Sequence, residues 1–409
     1  MTRAPVFIVG SPRSGTTWLY HLLLSAGGFA IYRFEAHVFN TLGPRFGGFR
    51  QRKNREAFLS RWLKSEYFFR SGLDESSFSS RVLEECRSSG DFLRLLMESI
   101  ATDQGASRWA ECTPESILYM AEIQASFPDA LFVHIVRDGR DVASSLARQR
   151  SIRPLPLGQS RELVAAALYW EWMTQKGRAG AAMLGTSYME VRFADLVTNP
   201  RETLAVIGQF INHPMHYERI LSAGIGSVSK PNTSFQSEVR GGQFQPVERW
   251  RTAYSEQELK LVESLIGDQL AEMGFELATS PQEHSRDAIS GTIRALYRTR
   301  FKSRTWLKSH TPLGRYFVDT TLLDYRLRDD DVEETLRPAL HRDVIRALVG
   351  SDSGDWHRDG ELWVRQQPAR RARLPLIESH RPTRDRAVAC FKREKSGPGE
   401  DPSAAAPRH

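Results

Sequence analysis

The stretch Val6-Phe7-Ile8-Val9-Gly10-Ser11-Pro12-Arg13-Ser14-Gly15-Thr16-Thr17-Trp18 sets two glycines, Gly10 and Gly15, between an apolar run and a helical pattern. Backbone N–H groups at a helix start, reinforced by the helix dipole, gather an anion. The hydroxyls of Ser14, Thr16 and Thr17 add donors, and Arg13 puts a cation inside the loop. A nucleoside-triphosphatase loop shares the Gly-x4-Gly spacing but continues with Lys. Here Thr16 stands in that place, so the cradle suits a different phosphorylated ligand. A bare glycine turn is the alternative, and the coincidence of hydroxyls and arginine speaks against it. A second stretch of interest is Val136-Arg137-Asp138-Gly139-Arg140-Asp141-Val142-Ala143-Ser144-Ser145. Arg137 closes an apolar run and offers a rigid fork for phosphate oxygens. Ser145 follows two helical turns later. Taken alone, Arg137-Asp138 reads equally well as a strand-end ion pair.

Together these segments resemble the sulfotransferases that use 3′-phosphoadenosine-5′-phosphosulfate, PAPS. Pro12–Trp18 is similar to the family's 5′-phosphosulfate loop, and Arg137 with Ser145 matches its 3′-phosphate segment. The wording Val-Arg-Asp-Gly-Arg is closest to the tyrosylprotein branch. The resemblance runs over about residues 4–277 and implies sulfuryl transfer from PAPS to a hydroxyl or amine by in-line displacement, without a metal. It implies that Arg13, Ser14, Gly15, Thr16 and Thr17 hold the donor, with Arg13 neutralising the leaving phosphate. Trp18 matches a position that stacks on adenine in relatives, with helix packing as the alternative. Arg240, in the basic stretch Lys230–Gly242, matches a loop that covers the nucleotide, although solvated-loop charge accounts for it equally simply.

A general base must take the acceptor's proton, and two carboxylates compete. Glu111, in Trp109-Ala110-Glu111-Cys112-Thr113-Pro114, resembles the Glu-Lys-Thr-Pro segment of heparan-type enzymes, with Cys112 where Lys is expected. Glu35, in Arg33-Phe34-Glu35-Ala36-His37, lies where the tyrosylprotein branch places its catalytic Glu. Glu111 is the first choice; each could instead be a structural ion-pair partner.

Strands alternating with helices are needed to position these residues. Strand patterns cover Pro5–Gly10, Leu131–Val136 and Ser187–Arg192; helical ones cover Thr16–Ser25, Asp141–Gln149 and Leu163–Leu184. Asn199-Pro200 opens a helix to about Phe210, and Ser255-Glu256-Gln257-Glu258 is a capping box for a helix to Met273. This alternation implies a three-layer α/β, P-loop-like fold: a central parallel sheet flanked by helices, plus a helical C-terminal extension. Residues 35–105, poor in strand signals, read as a helical insertion above the strand ends, where acceptor contacts are expected.

The chain has 409 residues, 40% hydrophobic and 26% charged, with a net charge of +7. These values exclude a disordered chain, a collagen-like repeat and a disulfide scaffold. The expected organisation is a sulfotransferase domain over 1–277, a basic helical extension over 278–350 and a polar, largely disordered tail over 351–409. In the extension, Ile289–Leu307 mixes arginines with apolar residues; packing on the parent domain is favoured over contact with a membrane surface. Cys86, Cys112 and Cys390 suit neither a disulfide framework nor a metal pair, and the opening apolar run is too short for a secretory signal, so a cytoplasmic location is expected. The acceptor stays open among a small alcohol or phenol, a glycan, a lipid and a protein tyrosine; nucleic acid is not expected. The competing functions are a nucleotide kinase or triphosphatase, disfavoured by Thr16, and a degenerate nucleotide-binding module, favoured only by Cys112.

Overall fold

Side chains along a strand alternate between its two faces, and one four-residue strand here serves two cores. The computed structural model describes residues 3–156, 160–228, 246–280, 288–318, 323, 356–359 and 362–365. In chain order its main elements are β1 (Val6–Val9), α1 (Thr16–Ser25), α2 (Arg52–Trp62), α3 (Glu75–Glu85), α4 (Ser89–Gln104), β2 (Ala110–Glu111) and β3 (Leu131–Val136). There follow α5 (Gly139–Arg148), α6 (Arg161–Leu184), β4 (Tyr188–Arg192), α7 (Pro200–Phe210), α8 (Glu256–Glu272) and α9 (Ala288–His310). Val6 and Ile8 of β1 enter one apolar cluster with α1 and α7. Phe7 and Val9 enter another with α4, α6 and α8. The sheet is therefore covered on both faces, as the near-continuous apolar run of a parallel strand demands.

All pairings in this sheet are parallel and the strand order is β2-β1-β3-β4. Val6 pairs with Ala110 on one side and Leu131 on the other, so β1 lies where the chain reverses its direction of winding. In such sheets ligands bind beyond the carboxyl ends of the strands at that switch point. The carboxyl ends of β2, β1 and β3 lead into Glu111–Pro114, the glycine loop and Arg137. The α/β, P-loop-like expectation is met, and the insertion over 35–105 is helical as expected, being built largely on α2, α3 and α4.

Element ends follow local chemistry. The capping box at Ser255 forms: its hydroxyl accepts from Glu258 N–H, and the Glu258 carboxylate accepts from Ser255 N–H at 3.0 Å. Asn199 precedes Pro200 at the start of α7, but its side chain makes no capping bond and donates to Thr198 Oγ1 instead. His134, in mid-strand, is a satisfied core residue, with Nδ1 2.5 Å from the Tyr188 hydroxyl.

The chain divides into two compact units, Met1–Trp356 and His357–His409. In the first, α9 packs on α6: the Phe301 ring lies 5.3 Å from those of Tyr169 and Trp172. Arg294 and Arg298 flank the buried Glu171 at 3.5 and 4.0 Å. The basic helix thus sits on its parent unit. Beyond residue 323 the described residues form a two-stranded ladder, Trp356–Asp359 with Leu362–Arg365. The tail expected to be disordered lies mostly outside the described residues, as does Arg240. Among the described residues no helix is long and apolar enough to cross a membrane.

Candidate active site

Gly15 caps α1 with φ 102° and ψ 13°, a left-handed conformation that L side chains rarely adopt. A Cβ there would also lie 2.6 Å from the ring of Phe193. At Gly10 a Cβ would meet the Ile135 carbonyl oxygen at 2.7 Å, so the loop runs close against β3. Between the glycines Arg13 itself holds φ 75°, a strained setting for a residue with a Cβ. The Ser14 hydroxyl is buried and has no hydrogen-bond partner among the described residues. A buried donor left open costs about 1–3 kcal/mol, and a phosphate or sulfate oxygen is what a loop of this shape accepts.

Arg13 and the segment after β3 meet. Arg13 Nε donates to Ser145 Oγ at 3.0 Å, and Arg137 Nη1 donates to the Arg13 carbonyl at 3.3 Å. The loop after β1 and the strand-end arginine therefore share one cleft, with Ser145 brought in from α5. Arg137 is buried; its Nη2 donates to Asp141 Oδ2 at 3.2 Å and to the Pro246 carbonyl at 2.7 Å, while its Nε has no partner among the described residues. Trp170 Nε1 donates to the Arg137 carbonyl at 3.1 Å and fixes the backbone at the strand end. Burial lowers the guanidinium's pKa, Asp141 opposes that, and Arg249 adds a second same-sign charge. Asp141 also accepts the Trp250 N–H at 2.8 Å, which ties the Arg249-Trp250 turn to the strand end.

Phe193, the residue after β4, was not distinguished by its sequence context. Its ring lies beneath Arg137 at 4.6 Å, fills the space opposite Gly15 and meets Trp18 edge-on at 5.8 Å. Trp18 is half-buried, and Thr17 is exposed at the mouth of the loop. Arg140 serves structure: it binds Asp138 through two nitrogens and Glu263 at 2.5 Å, and lies 3.7 Å from the Trp250 ring centre.

The carboxylates stand on the other side of the loop. Glu111 is 4% exposed. Its Oε1 accepts from Thr113 N–H at 2.8 Å, from Ala36 N–H at 3.2 Å and from the Thr113 hydroxyl, and its Oε2 accepts from Ser116 at 3.3 Å. Burial pushes its carboxyl up, and these donors pull it partly back. Glu35 is more open, its side chain 22% exposed, and it pairs with His37 Nε2 at 3.2 Å. Burial opposes charge on His37, but the hydrogen bond and charge of Glu35, with Glu115 and Glu111 nearby, leave its pKa above the ordinary imidazole value. His37 N–H donates to Thr113 Oγ1 at 3.0 Å, so the Glu35 turn is moored on the Glu111–Thr113 segment. No sequence signal marks His37; only its place two residues after Glu35 could have suggested it.

Known proteins are similar to this chain over much of its length. Protein-tyrosine sulfotransferase 1 of Danio rerio is 24% identical over 296 residues, covering 69% of this chain and 75% of that protein. Carbohydrate sulfotransferase 2 of Mus musculus is 28% identical over 197 residues; the match covers 38% of this chain and only 36% of that relative's length. Among solved structures, the sulfotransferase domain from the curacin biosynthetic pathway aligns with a TM-score of 0.46 at 19% identity, covering 68% of this chain and all of that one. The sequence profile described as "Sulfotransferase family" matches residues 5–217, more than half of the 409. With the loop, the strand-end arginine and the parallel sheet inside that span, the chain belongs to the sulfotransferase family.

Proposed function

We propose that the protein transfers a sulfuryl group from PAPS to a hydroxyl or amine of its acceptor by in-line displacement. The observation that carries this reading is the junction of Arg13, Ser145 and Arg137 beyond neighbouring strands β1 and β3. One cleft then offers cationic forks to both phosphates of an adenosine 3′,5′-bisphosphate. The buried, open hydroxyl of Ser14 and the open Nε of Arg137 give the fit a second support. Bound PAPS supplies the activated sulfuryl group; the protein positions it and stabilises the charge that spreads onto the leaving oxygen. Arg13 has that role, assisted by the backbone N–H groups of Ser14–Thr17. Arg137 and Ser145 would hold the 3′-phosphate and Trp18 the adenine; Arg240, expected to help cover the nucleotide, lies outside the described residues.

The geometry supports Glu35 over Glu111 as the base. The oxygens of Glu111 already accept four hydrogen bonds and lie out of reach of solvent. A carboxylate so engaged is a brace for the loops: its oxygens are committed to protein donors and are not presented to an acceptor. The Glu35 side chain is partly exposed, and its proton, once taken, lies beside His37. The acceptor class spans protein tyrosine, glycan, lipid and small alcohol or phenol, and the tyrosine and carbohydrate relatives make hydroxyls the first compounds to test. We place the reaction in the cytoplasm, on the scattered and odd number of cysteines.

Calorimetry with adenosine 3′,5′-bisphosphate and with ATP plus Mg²⁺ tests the donor. Binding of the bisphosphate alone supports the reading; ATP·Mg²⁺ binding alone points to a kinase or triphosphatase. Turnover of sulfate-labelled PAPS against an acceptor panel then separates an enzyme from a degenerate binding module.

A further inference from the structure

The turn after the Glu35–His37 pair is wound as a π-helix over Val38–Leu42, with the Leu42 N–H donating to the His37 carbonyl at 3.0 Å. His37 is left-handed, at φ 50°. Single π turns and left-handed non-glycine residues persist where their surroundings over-determine them, and both concentrate at functional sites. Three outside groups over-determine this one. Glu111 takes the Ala36 N–H and the Thr113 hydroxyl takes the His37 N–H. The third contact spans 268 residues: Lys308 Nζ donates to the Asn40 carbonyl at 3.0 Å. Pro44, four residues on, has no N–H to give that carbonyl, and the ammonium of Lys308 supplies a donor.

Lys308 lies on α9, beyond the segment that matches the family profile. Its placement is built in. Phe301 is lodged between aromatic rings of α6, and the Tyr297 hydroxyl accepts the Leu155 N–H at 2.8 Å. The turn Pro312–Tyr316 after the helix packs on Gly43–Phe46, directly after the π turn. Burial brings the Lys308 ammonium down to about 8, with Arg304 adding to the effect and Glu115 opposing it. Asn40 completes the path: its Nδ2 lies 3.2 Å from His37 Nδ1, while Nε2 of the same ring faces Glu35.

We propose that Lys308 is a positioning residue for the base: by holding the Asn40 carbonyl it fixes the π turn, and through Asn40 and His37 it sets the orientation of Glu35. The appended helix is thereby part of the acceptor side of the active site. The inference rests on Glu35 as base, and its first test needs no acceptor.

Histidine-selective NMR on the full chain, with His37 assigned through H37Q, reads the ring's titration. The charged groups facing it are Glu35, Glu115 and Glu111. In K308M the pKa of His37 falls by about half a unit or more toward the ordinary value of about 6.5 as its pairing with Glu35 loosens. With the best acceptor of the panel, kcat falls about tenfold through misplacement of the base. The affinity for adenosine 3′,5′-bisphosphate stays unchanged, and K308R restores both quantities. A folded K308M whose His37 titrates like that of the unsubstituted protein overturns the proposal. If K308M fails to fold, K308Q is read in the same way against the same criterion. An E35Q variant with full turnover, or a protein that does not bind the bisphosphate, brings down the functional reading instead. An unmoved His37 beside an inactive E35Q brings down this inference alone.

Discussion

On the proposed reading, the nucleotide half and the acceptor half of the cleft are built in opposite ways. The nucleotide half draws on two short continuous stretches, 10–18 and 137–145, each following a strand, and adjacent because β1 and β3 are neighbours. The acceptor half is assembled from residues 35–40, 111–116 and 308, joined by single hydrogen bonds across long sequence separations. Strand pairing places the first half with little further help. The second depends on each brace in turn, so the nucleotide half withstands the loss of a neighbour better than the acceptor half.

The largest expected effect separates the halves by charge. Removing a comparable charge-stabilising donor costs about 2.7–4 kcal/mol, about 10²–10³ in kcat, so R13A keeps its fold and loses that much turnover, as measured with labelled PAPS. A near-normal kcat removes Arg13 from the mechanism. Next comes the pair of carboxylates. E35Q is expected to lose about 10²-fold or more in kcat, within the range for a general base. E111Q is expected to lose less turnover than E35Q and more thermal stability, because it disturbs four accepted bonds. The reverse ranking would return the base to Glu111.

A smaller effect is expected at Asp141, which neutralises Arg137 inside the nucleotide half. D141N leaves a buried guanidinium without its counter-ion, so the free protein melts earlier. The same change deepens the positive field, and adenosine 3′,5′-bisphosphate raises the melting temperature by more than it does in the unsubstituted protein. An equal or smaller ligand-induced shift would remove Asp141 from the pocket's charge balance.

The last expectation concerns pH. Burial holds His21 and His134 down at about 3, so the native state keeps both neutral. Their contribution is complete above the unfolded value of about 6.5 and is lost as pH falls toward 3. His37 has the opposite sign: its raised pKa stabilises below about 6.5, and that contribution is lost as pH rises through its folded value. The H21Q/H134Q double variant should therefore lose less melting temperature between about pH 7 and 4 than the unsubstituted protein, in which the raised carboxyls of Glu111 and Asp141 act with the opposite sign. Equal pH slopes for the two proteins contradict the burial of the two histidines.

Legibility in the sequence followed the same division. The glycine loop could be read because a strand, a turn and a helix follow one another within a dozen residues, and the helix over Thr16–Ser25 has the bounds its pattern predicts. Arg137 could be read because the apolar run before it ends where β3 ends. Phe193 could not: it sits under Arg137 and against Gly15 through the β3–β4 pairing, which no local pattern encodes. Glu111 could be found but its role could not, since its partners at 36 and 113 approach only when the loops close over β2. Lys308 looked like one more charge on a basic helix, because nothing near it in the chain mentions Pro44 or Asn40.

The engagement of Arg137 by Asp141 also bears on how the site empties. On the proposed reading, a 3′-phosphate would meet the open Nε of a guanidinium whose Nη2 is already paired with Asp141, so the guanidinium would yield less net attraction than a bare one. When the desulfated nucleotide departed, that carboxylate would still be in place, and the outgoing anion would not strand an unbalanced cation behind it. A pocket that carries its own counter-anion would trade tightness of grip for speed of exchange, which would favour repeated turnover over retention of the spent donor.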